Sequence, residues 1–153
     1  MFFFAAQPSE ARYAAIVIDA KDGNILHSTN ADTLNYPASL TKLMTLLMLF
    51  EALEQDKLEI STELVTSTRA SKAKPSKLGL QPGDTITVRQ AISALITKSA
   101  NDVAVVVAER LSGSIRSFAR AMTRRARALG MKDTTFRNPH GLPNRGHLST
   151  AVS

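Results

Sequence analysis

Ser39 and Lys42 lie three positions apart at the start of an apolar stretch that runs to residue 53. Pro37 suits the entrance of a helix, where residues i and i+3 are neighbours, so the two side chains would share one face. A serine hydroxyl becomes a good nucleophile when an adjacent base takes its proton. A lysine amine serves as that base when burial or a second cation lowers its pKa from about 10.4. The pair, beside the free N–H groups of a helix N-terminus, predicts a centre for acyl transfer.

The spacing alone leaves a plainer interpretation open, in which Ser39 caps a helix and Lys42 extends its amine to solvent. The same spacing recurs at Ser71 and Lys74, but that pair lies in a polar, basic stretch with nothing to bury the amine. A motif this short also arises by chance. The hydrophobic context favours Ser39 and Lys42 as the chemical pair.

A second polar group, Ser99 and Asn101, lies in a short break between two apolar stretches. In a serine–lysine centre, Ser99 would pass a proton between the lysine and the leaving group, and Asn101 would hold Lys42 and bind a substrate amide. Two structural interpretations stay open: Asn101 caps the next helix, and Ser99 bonds to the backbone of the turn. A similar Ser-Thr-Asn triplet occurs at residues 28–30.

The elements that must position these groups follow in the order strands, then helices. Residues 13–19 form a short apolar run, and Asp22 and Gly23 behind it indicate the turn of a β-hairpin. Residues 38–54 are apolar nearly all round, which is typical of a helix in the centre of a core. Residues 61–84 are polar with Pro and Gly, and predict a long surface connection.

Three helices are predicted after that connection. Thr87 and Gln90 have the spacing of a capping box and open the first. A strongly apolar helix follows over residues 101–111, and Ser114 caps a third helix that ends at Gly130. Strands followed by helices are typical of an α+β fold.

The composition bounds the class of protein. With 153 residues, 44% of them hydrophobic and 21% charged, the chain is typical of one soluble globular domain. It has no cysteine, which excludes disulfides and thiolate metal sites, and His27, His140 and His147 are too scattered to argue for a metal. A net charge of +6 suits an anionic polymer or a membrane surface, whereas 5% aromatic residues and no Trp argue against nucleic acid.

The chain divides into a short terminus and one domain. Residues 1–11 end like a secretory signal peptide but lack its basic start, so we interpret them as a signal remnant or an incidental apolar terminus. Residues 12–153 form the domain. The longest later apolar run, residues 43–50, is too short to span a bilayer.

Together the two motifs resemble the first two signatures of the penicillin-recognising serine enzymes. Further stretches narrow the match, namely AAIVIDAKDGNILHS, PSKLGLQPGDTITV, KSANDVAVVVAE and FRNPHGLPNRGHLSTA. Across residues 12–151 the chain resembles the low-molecular-mass penicillin-binding proteins, which are serine-type D-alanyl-D-alanine carboxypeptidases that trim peptidoglycan stem peptides.

The resemblance implies a β-lactamase/transpeptidase-like fold in which Ser39 is acylated and Lys42 is its base. Ser99 and Asn101 would be the proton relay and the substrate-positioning group. It also implies a stem peptide ending in D-Ala-D-Ala as substrate, β-lactams as covalent inhibitors, no metal or cofactor, and a place in the periplasm or cell envelope. Framework positions would be Tyr36, Pro37 and Phe136.

One family signature is missing. Members carry a third motif, Lys-Thr-Gly or a close variant, on a strand that binds the substrate carboxylate and supplies an oxyanion-hole donor. No such triplet occurs here, and Lys21-Asp22-Gly23 lies in the predicted hairpin. Losing one such donor typically costs about 10²–10³ in rate. We therefore expect a truncated chain with an incomplete sheet, an exposed strand edge and uncovered helix faces that favour self-association.

Two hypotheses of different class follow from these patterns. The first is a D-Ala-D-Ala carboxypeptidase that acylates on Ser39 and is impaired by the missing motif. The second is a catalytically inactive remnant that binds peptidoglycan or a partner. A β-lactamase or esterase with the same centre is a further alternative, against which the KSAND and HGLP segments argue.

Overall fold

The computed structural model of the chain describes residues 13–153, so the interpretation of residues 1–11 lies outside the described part. The fold is α+β, as predicted, with helices packed beside two small antiparallel sheets. The strands are β1 (Ala15–Ile18), β2 (Ile25–Thr29), β3 (Glu63–Val65) and β4 (Thr85–Thr87). The helices are α1 (Thr41–Glu54), α2 (Thr68–Ser71), α3 (Val88–Thr97), α4 (Asn101–Ser112) and α5 (Ile115–Ala128), with a 3₁₀ turn at Ala38–Leu40 before α1.

Helix α4 lies at the centre of the molecule, packed against α1, α2, α3 and α5. Its residues 103–108 are all buried, because this stretch is apolar on every side and leaves no face for solvent. One cluster of buried side chains surrounds α4 and includes Leu49 of α1 and Leu64 of β3. A second joins Met44 of α1 to Phe118 of α5. The N-terminal ends of α1 and α4, which carry the two predicted motifs, are therefore anchored in one core.

The helix ends follow the predicted chemistry. Thr87 and Gln90 form a full capping box at α3, in which each side chain accepts a hydrogen bond from the other residue's backbone N–H. Ser114 caps α5 by accepting from the N–H of Ser117 at 3.1 Å. The interpretation of Asn101 as the cap of the next helix is wrong. The N-cap of α4 is Ala100, and Asn101 is the first residue of the helix.

Residues 61–84 hold more regular structure than the predicted surface connection, since they contain β3 and α2. Strand β3 pairs with β4, so that Leu64 lies opposite Ile86 and both side chains are buried. Strands of three residues bury a single apolar side chain each. One buried apolar residue in a strand of three is too short a pattern of alternation to indicate a strand. The sequence therefore does not predict β3.

The β1–β2 hairpin around Asp22 and Gly23 forms as predicted, in antiparallel register. It is a separate two-stranded sheet with large apolar side chains left exposed, among them Ile25 and Leu26. Between this hairpin, α1 and the C-terminal residues lies an apolar cleft of about 1130 Å³. Among the described residues, β1 and β2 pair only with each other, and α1 exposes Leu43 and Phe50.

Candidate active site

Ser39 lies on the 3₁₀ turn that leads into α1 and is exposed to solvent. Pro37, whose φ of −69° is already helical, begins this turn, and its carbonyl accepts the N–H of Leu40 at 3.1 Å. The helix then continues without a break through Lys42. This proline-started turn places an exposed serine at the head of a core helix.

Lys42 lies on the first turn of α1 and is only 3% exposed. Its Nζ donates a hydrogen bond of 2.8 Å to the carbonyl of His140. Within residues 13–153 no carboxylate pairs with this amine, and burial lowers its pKa below the usual 10.5. The interpretation of Lys42 as a surface lysine is therefore wrong. Burial favours the neutral base form of this amine, and among the described residues no carboxylate offsets that effect.

The hydroxyl of Ser39 and the amine of Lys42 share one helix start but are not hydrogen-bonded to each other in the described part of the chain. Catalytic hydrogen bonds often tighten only in the complex with substrate. The second pair with this spacing differs as the sequence indicates, because Lys74 is exposed on a surface segment. Burial of the lysine thus separates Ser39 and Lys42 from Ser71 and Lys74.

The start of α1 is bound to the segment of residues 138–147, about a hundred positions later in the chain. Thr45 donates to the carbonyl of Pro139 at 2.7 Å, and Thr41 bonds to Nε2 of His147 at 2.8 Å. Together with the bond from Lys42 to His140, these contacts hold one face of the helix start. The carbonyl of His140 is a backbone group, so its role left no signal in the sequence.

His147 is almost fully buried and its two ring nitrogens have different partners. Its Nδ1 accepts the backbone N–H of Arg137 at 3.1 Å, which assigns the ring hydrogen to Nε2 and makes that atom the donor to Thr41. Burial, followed by the charge of Arg137, lowers the pKa of His147 to about 4. The pKa of His140 is also lowered to about 4, by burial and then by the charges of Lys42 and His147.

Ser99 and Asn101 lie where α3 ends and α4 begins. Ser99 adopts a left-handed backbone with φ of +53°, and Asn101 is 4% exposed. The side-chain amide of Asn101 donates to the carbonyl of Lys74 at 2.9 Å. Among the described residues no hydrogen bond links either side chain to Ser39 or Lys42. The structure thus joins Asn101 to the surface segment at Lys74. Because α1 packs on α4, the Ser39–Lys42 motif and the Ser99–Asn101 motif belong to one core.

Of the expected framework residues, Phe136 is buried and packs its ring against His147 in a T-shaped contact, with ring centroids 5.5 Å apart. Tyr36 is 61% exposed and lines the apolar cleft with Pro37. Within residues 13–153 no cluster of three or more His, Cys, Asp or Glu side chains is arranged to hold a metal ion. No helix in that range is long and apolar enough to cross a membrane.

An exposed serine followed one turn later by a buried lysine is the arrangement expected of a class of protein, the serine–lysine acyl-transfer enzymes. A model of the D-alanyl-D-alanine carboxypeptidase family matches residues 2–153. The chain belongs to this family.

Relatives and solved structures agree with that assignment. The chain is 38% identical to the D-alanyl-D-alanine carboxypeptidase DacF of Bacillus subtilis, over 90% of this chain and 36% of the relative. It is 37% identical to DacC of Escherichia coli, over 94% of this chain and 38% of the relative. It therefore spans little more than a third of these relatives.

The fold is also similar to solved structures of the same family. The D-alanyl-D-alanine carboxypeptidase DacD from Francisella tularensis superposes with a TM-score of 0.87 at 31% identity, over 96% of this chain and 35% of that one. Penicillin-binding protein 5 from Haemophilus influenzae superposes with a TM-score of 0.86 at 31% identity, over 96% of this chain and 44% of that one. The α+β fold thus matches part of the fold of these penicillin-binding proteins.

Proposed function

We propose that the chain performs the acyl-transfer chemistry of a serine-type D-Ala-D-Ala carboxypeptidase, with Ser39 as the nucleophile. The observation that carries this proposal is the burial of Lys42. An amine that is 3% exposed, faces a carbonyl and has a lowered pKa is suited to take the proton of a neighbouring hydroxyl.

The proposed reaction has two steps. The Ser39 oxygen attacks the carbonyl carbon of the terminal peptide bond while its proton passes to the Lys42 amine. The tetrahedral intermediate then expels the amine of the terminal D-alanine, which takes that proton, and an ester remains on Ser39. In the second step a water molecule attacks the ester and gives a proton to the regenerated Lys42 amine. The Ser39 oxygen then leaves the carbonyl carbon and takes that proton, which releases the shortened peptide.

Ser99 and Asn101 are proposed as the relay and the substrate-positioning group. Their place at the start of α4, which packs on α1, supports this role. The amide of Asn101 has one oxygen acceptor and two N–H donors, and the bond to Lys74 uses one donor. Its oxygen and second N–H have no hydrogen-bond partner among the described residues, and we propose that a substrate amide bonds to them.

The proposed substrate is a peptidoglycan stem peptide that ends in D-Ala-D-Ala, and β-lactams are the proposed covalent inhibitors. The names of the relatives support the first. Structures of penicillin-binding protein D2 from Listeria monocytogenes in ampicillin-bound and cefotaxime-bound forms, 32% and 34% identical to this chain, support the second. The corresponding location is the periplasm or cell envelope. For these 153 residues by themselves, which contain no Lys-Thr-Gly triplet, we propose that turnover is slow.

The test is the intact mass of the full chain after incubation with benzylpenicillin. We expect one adduct on the wild type and none on Ser39→Ala. Ser71→Ala is the matched control, since Ser71 has a lysine at the same spacing but on an exposed segment, and it should keep the adduct. A folded wild type without an adduct, or an adduct that persists in Ser39→Ala, contradicts the proposal.

A second candidate function is binding without catalysis, either to peptidoglycan or to a partner. The apolar cleft beside α1 favours it, because large exposed apolar patches mark interaction sites. Turnover of a D-Ala-D-Ala peptide separates the two candidates. Product release that disappears in Ser39→Ala supports the enzyme, whereas retention on peptidoglycan with no release supports binding alone.

A further inference from the structure

The carboxylate of Asp102, fully buried on the first turn of α4, faces backbone amides. Its oxygens accept N–H groups from Leu78 at 3.1 Å, Gly79 at 2.9 Å, Leu80 at 3.3 Å and Val103 at 2.9 Å. Within residues 13–153 no cation lies at salt-bridge distance from it. Three successive amides of one surface segment therefore converge on a single carboxylate, as in the backbone nests that bind anions.

The same surface segment, residues 74–80, is bound a second time beside Asp102. The backbone N–H of Asn101 donates to the carbonyl of Ser76 at 2.8 Å, and its side chain donates to the carbonyl of Lys74 at 2.9 Å. The hydroxyl of Ser76 in turn donates to the carbonyl of Lys98 at 2.9 Å. These bonds attach the 74–80 segment to the chain on both sides of Ser99.

Ser99 has a backbone conformation that needs such support. Its φ of +53° lies in the left-handed region, which costs free energy for a residue with a Cβ and persists only where surrounding contacts fix it. Its neighbours Lys98 and Asn101 are both bound to the 74–80 segment. The geometry of the turn that carries Ser99 therefore depends on how firmly this segment is held.

We propose that Asp102 is a positioning residue of the acyl-transfer site. By binding the amides of residues 78–80, it holds the 74–80 segment against residues 98–101 and keeps Ser99 and Asn101 in place for the acyl-enzyme. This inference rests on the proposed function at Ser39 and adds a residue to it. A carboxylate is suited to the task because its two oxygens offer about four acceptor sites, whereas an amide of the same size offers one oxygen.

The test compares Asp102→Asn with Asp84→Asn in the full chain. Asp84 also accepts a backbone N–H in the same connection, from Gln81 at 2.7 Å, but it is exposed and remote from Ser99 in sequence. For Asp102→Asn we expect the rate constant of acylation by benzylpenicillin to fall about 10-fold to 100-fold with little change in the preceding binding constant. Asp84→Asn should change the rate constant less than about twofold, since surface changes are usually mild.

Hydrogen exchange supplies a readout that does not depend on activity. In Asp102→Asn the amides of Leu78, Gly79 and Leu80 should lose protection, and so should the amide of Asn101, while amides within α1 keep theirs. If Asp102→Asn does not fold, Ser76→Ala is tested instead. It removes only the exposed hydrogen bond from the Ser76 hydroxyl to the carbonyl of Lys98. That variant should lower the acylation rate constant about threefold to tenfold, the worth of one hydrogen bond.

The outcomes separate this inference from the proposed function. If the wild type forms no adduct, the function at Ser39 fails, and the exchange of the Asn101 amide decides whether Asp102 positions the turn. Unchanged protection of Asn101 in Asp102→Asn overturns the inference. An unchanged acylation rate constant in that variant, or in Ser76→Ala, overturns it as well.

Discussion

Gly141 lies directly against the carbonyl group of Ala38. A Cβ built on Gly141 would lie 1.7 Å from the Ala38 oxygen and 2.4 Å from the carbonyl carbon. The preceding residue, His140, offers its carbonyl to Lys42 at 2.8 Å. The segment of residues 138–147 therefore contacts the chain on both sides of Ser39. Segments about a hundred positions apart in sequence form one site.

Replacing Gly141 with alanine should disrupt this contact. The new Cβ would collide with backbone, and the φ of +87° is unfavourable for alanine, so we expect a loss of at least about 2 kcal/mol in unfolding free energy and slower acylation. Gly23→Ala is the control, because Gly23 has a similar φ of +76° with no atom within 4 Å of its Cβ position. Urea titration measures the unfolding free energy of both variants. Equal losses in the two variants would mean that backbone conformation, not the contact with Ala38, is responsible.

Lys42→Arg should abolish acylation although it preserves the positive charge. A guanidinium has a pKa above about 12 and does not act as a base near neutral pH, so we expect the acylation rate constant to fall about 100-fold or more. Lys74→Arg, on the exposed second pair, is the control and should leave it unchanged. In the wild type, the rate constant should rise with pH through the lowered pKa of Lys42, because only the neutral amine takes a proton. Rates that fall with increasing pH would rule out Lys42 as the base.

How much of this site the sequence predicts depends on how far apart its parts lie in the chain. Ser39 and Lys42 are close in sequence, and the capping box at Thr87 is local chemistry, so spacing and residue type reveal both. The bond from Lys42 to His140 joins residues 98 positions apart through a backbone carbonyl, which carries no residue-type signal. Whether Lys42 is a base or a surface lysine depends on the burial of its amine. That burial is a property of the folded core, so the sequence pattern does not reveal it.

Buried His147 and half-buried His140 should make stability depend on pH. Their folded pKa values of about 4 lie below the ordinary 6.5, so between pH 6.5 and 4 the unfolded chain binds protons that the folded chain does not. Unfolding free energy should therefore fall as pH falls through this window, by at most about 3 kcal/mol for each of His140 and His147, and level off below pH 4. Urea titrations across the window measure the slope.

A variant that cannot titrate checks this assignment. His147→Asn can still accept the N–H of Arg137 but has no imidazole. It should be less stable than the wild type at pH 7, because the bond to Thr41 is lost, and should show a shallower slope. A slope equal to that of the wild type would assign the pH dependence to other groups.

The uncovered face of α1 should make the chain self-associate. Leu43 is 63% exposed and lines the apolar cleft, next to a hairpin whose two strands form a separate sheet. Two-stranded sheets are marginal alone and their edges invite pairing. We expect the sedimentation coefficient to rise with protein concentration, and Leu43→Lys to suppress that rise because a buried ammonium opposes contact. Ile96→Lys is the matched control, since Ile96 is also 63% exposed but lies outside the cleft. Suppression by both variants would assign association to general hydrophobicity, whereas suppression by Leu43→Lys alone would assign it to the apolar cleft beside α1.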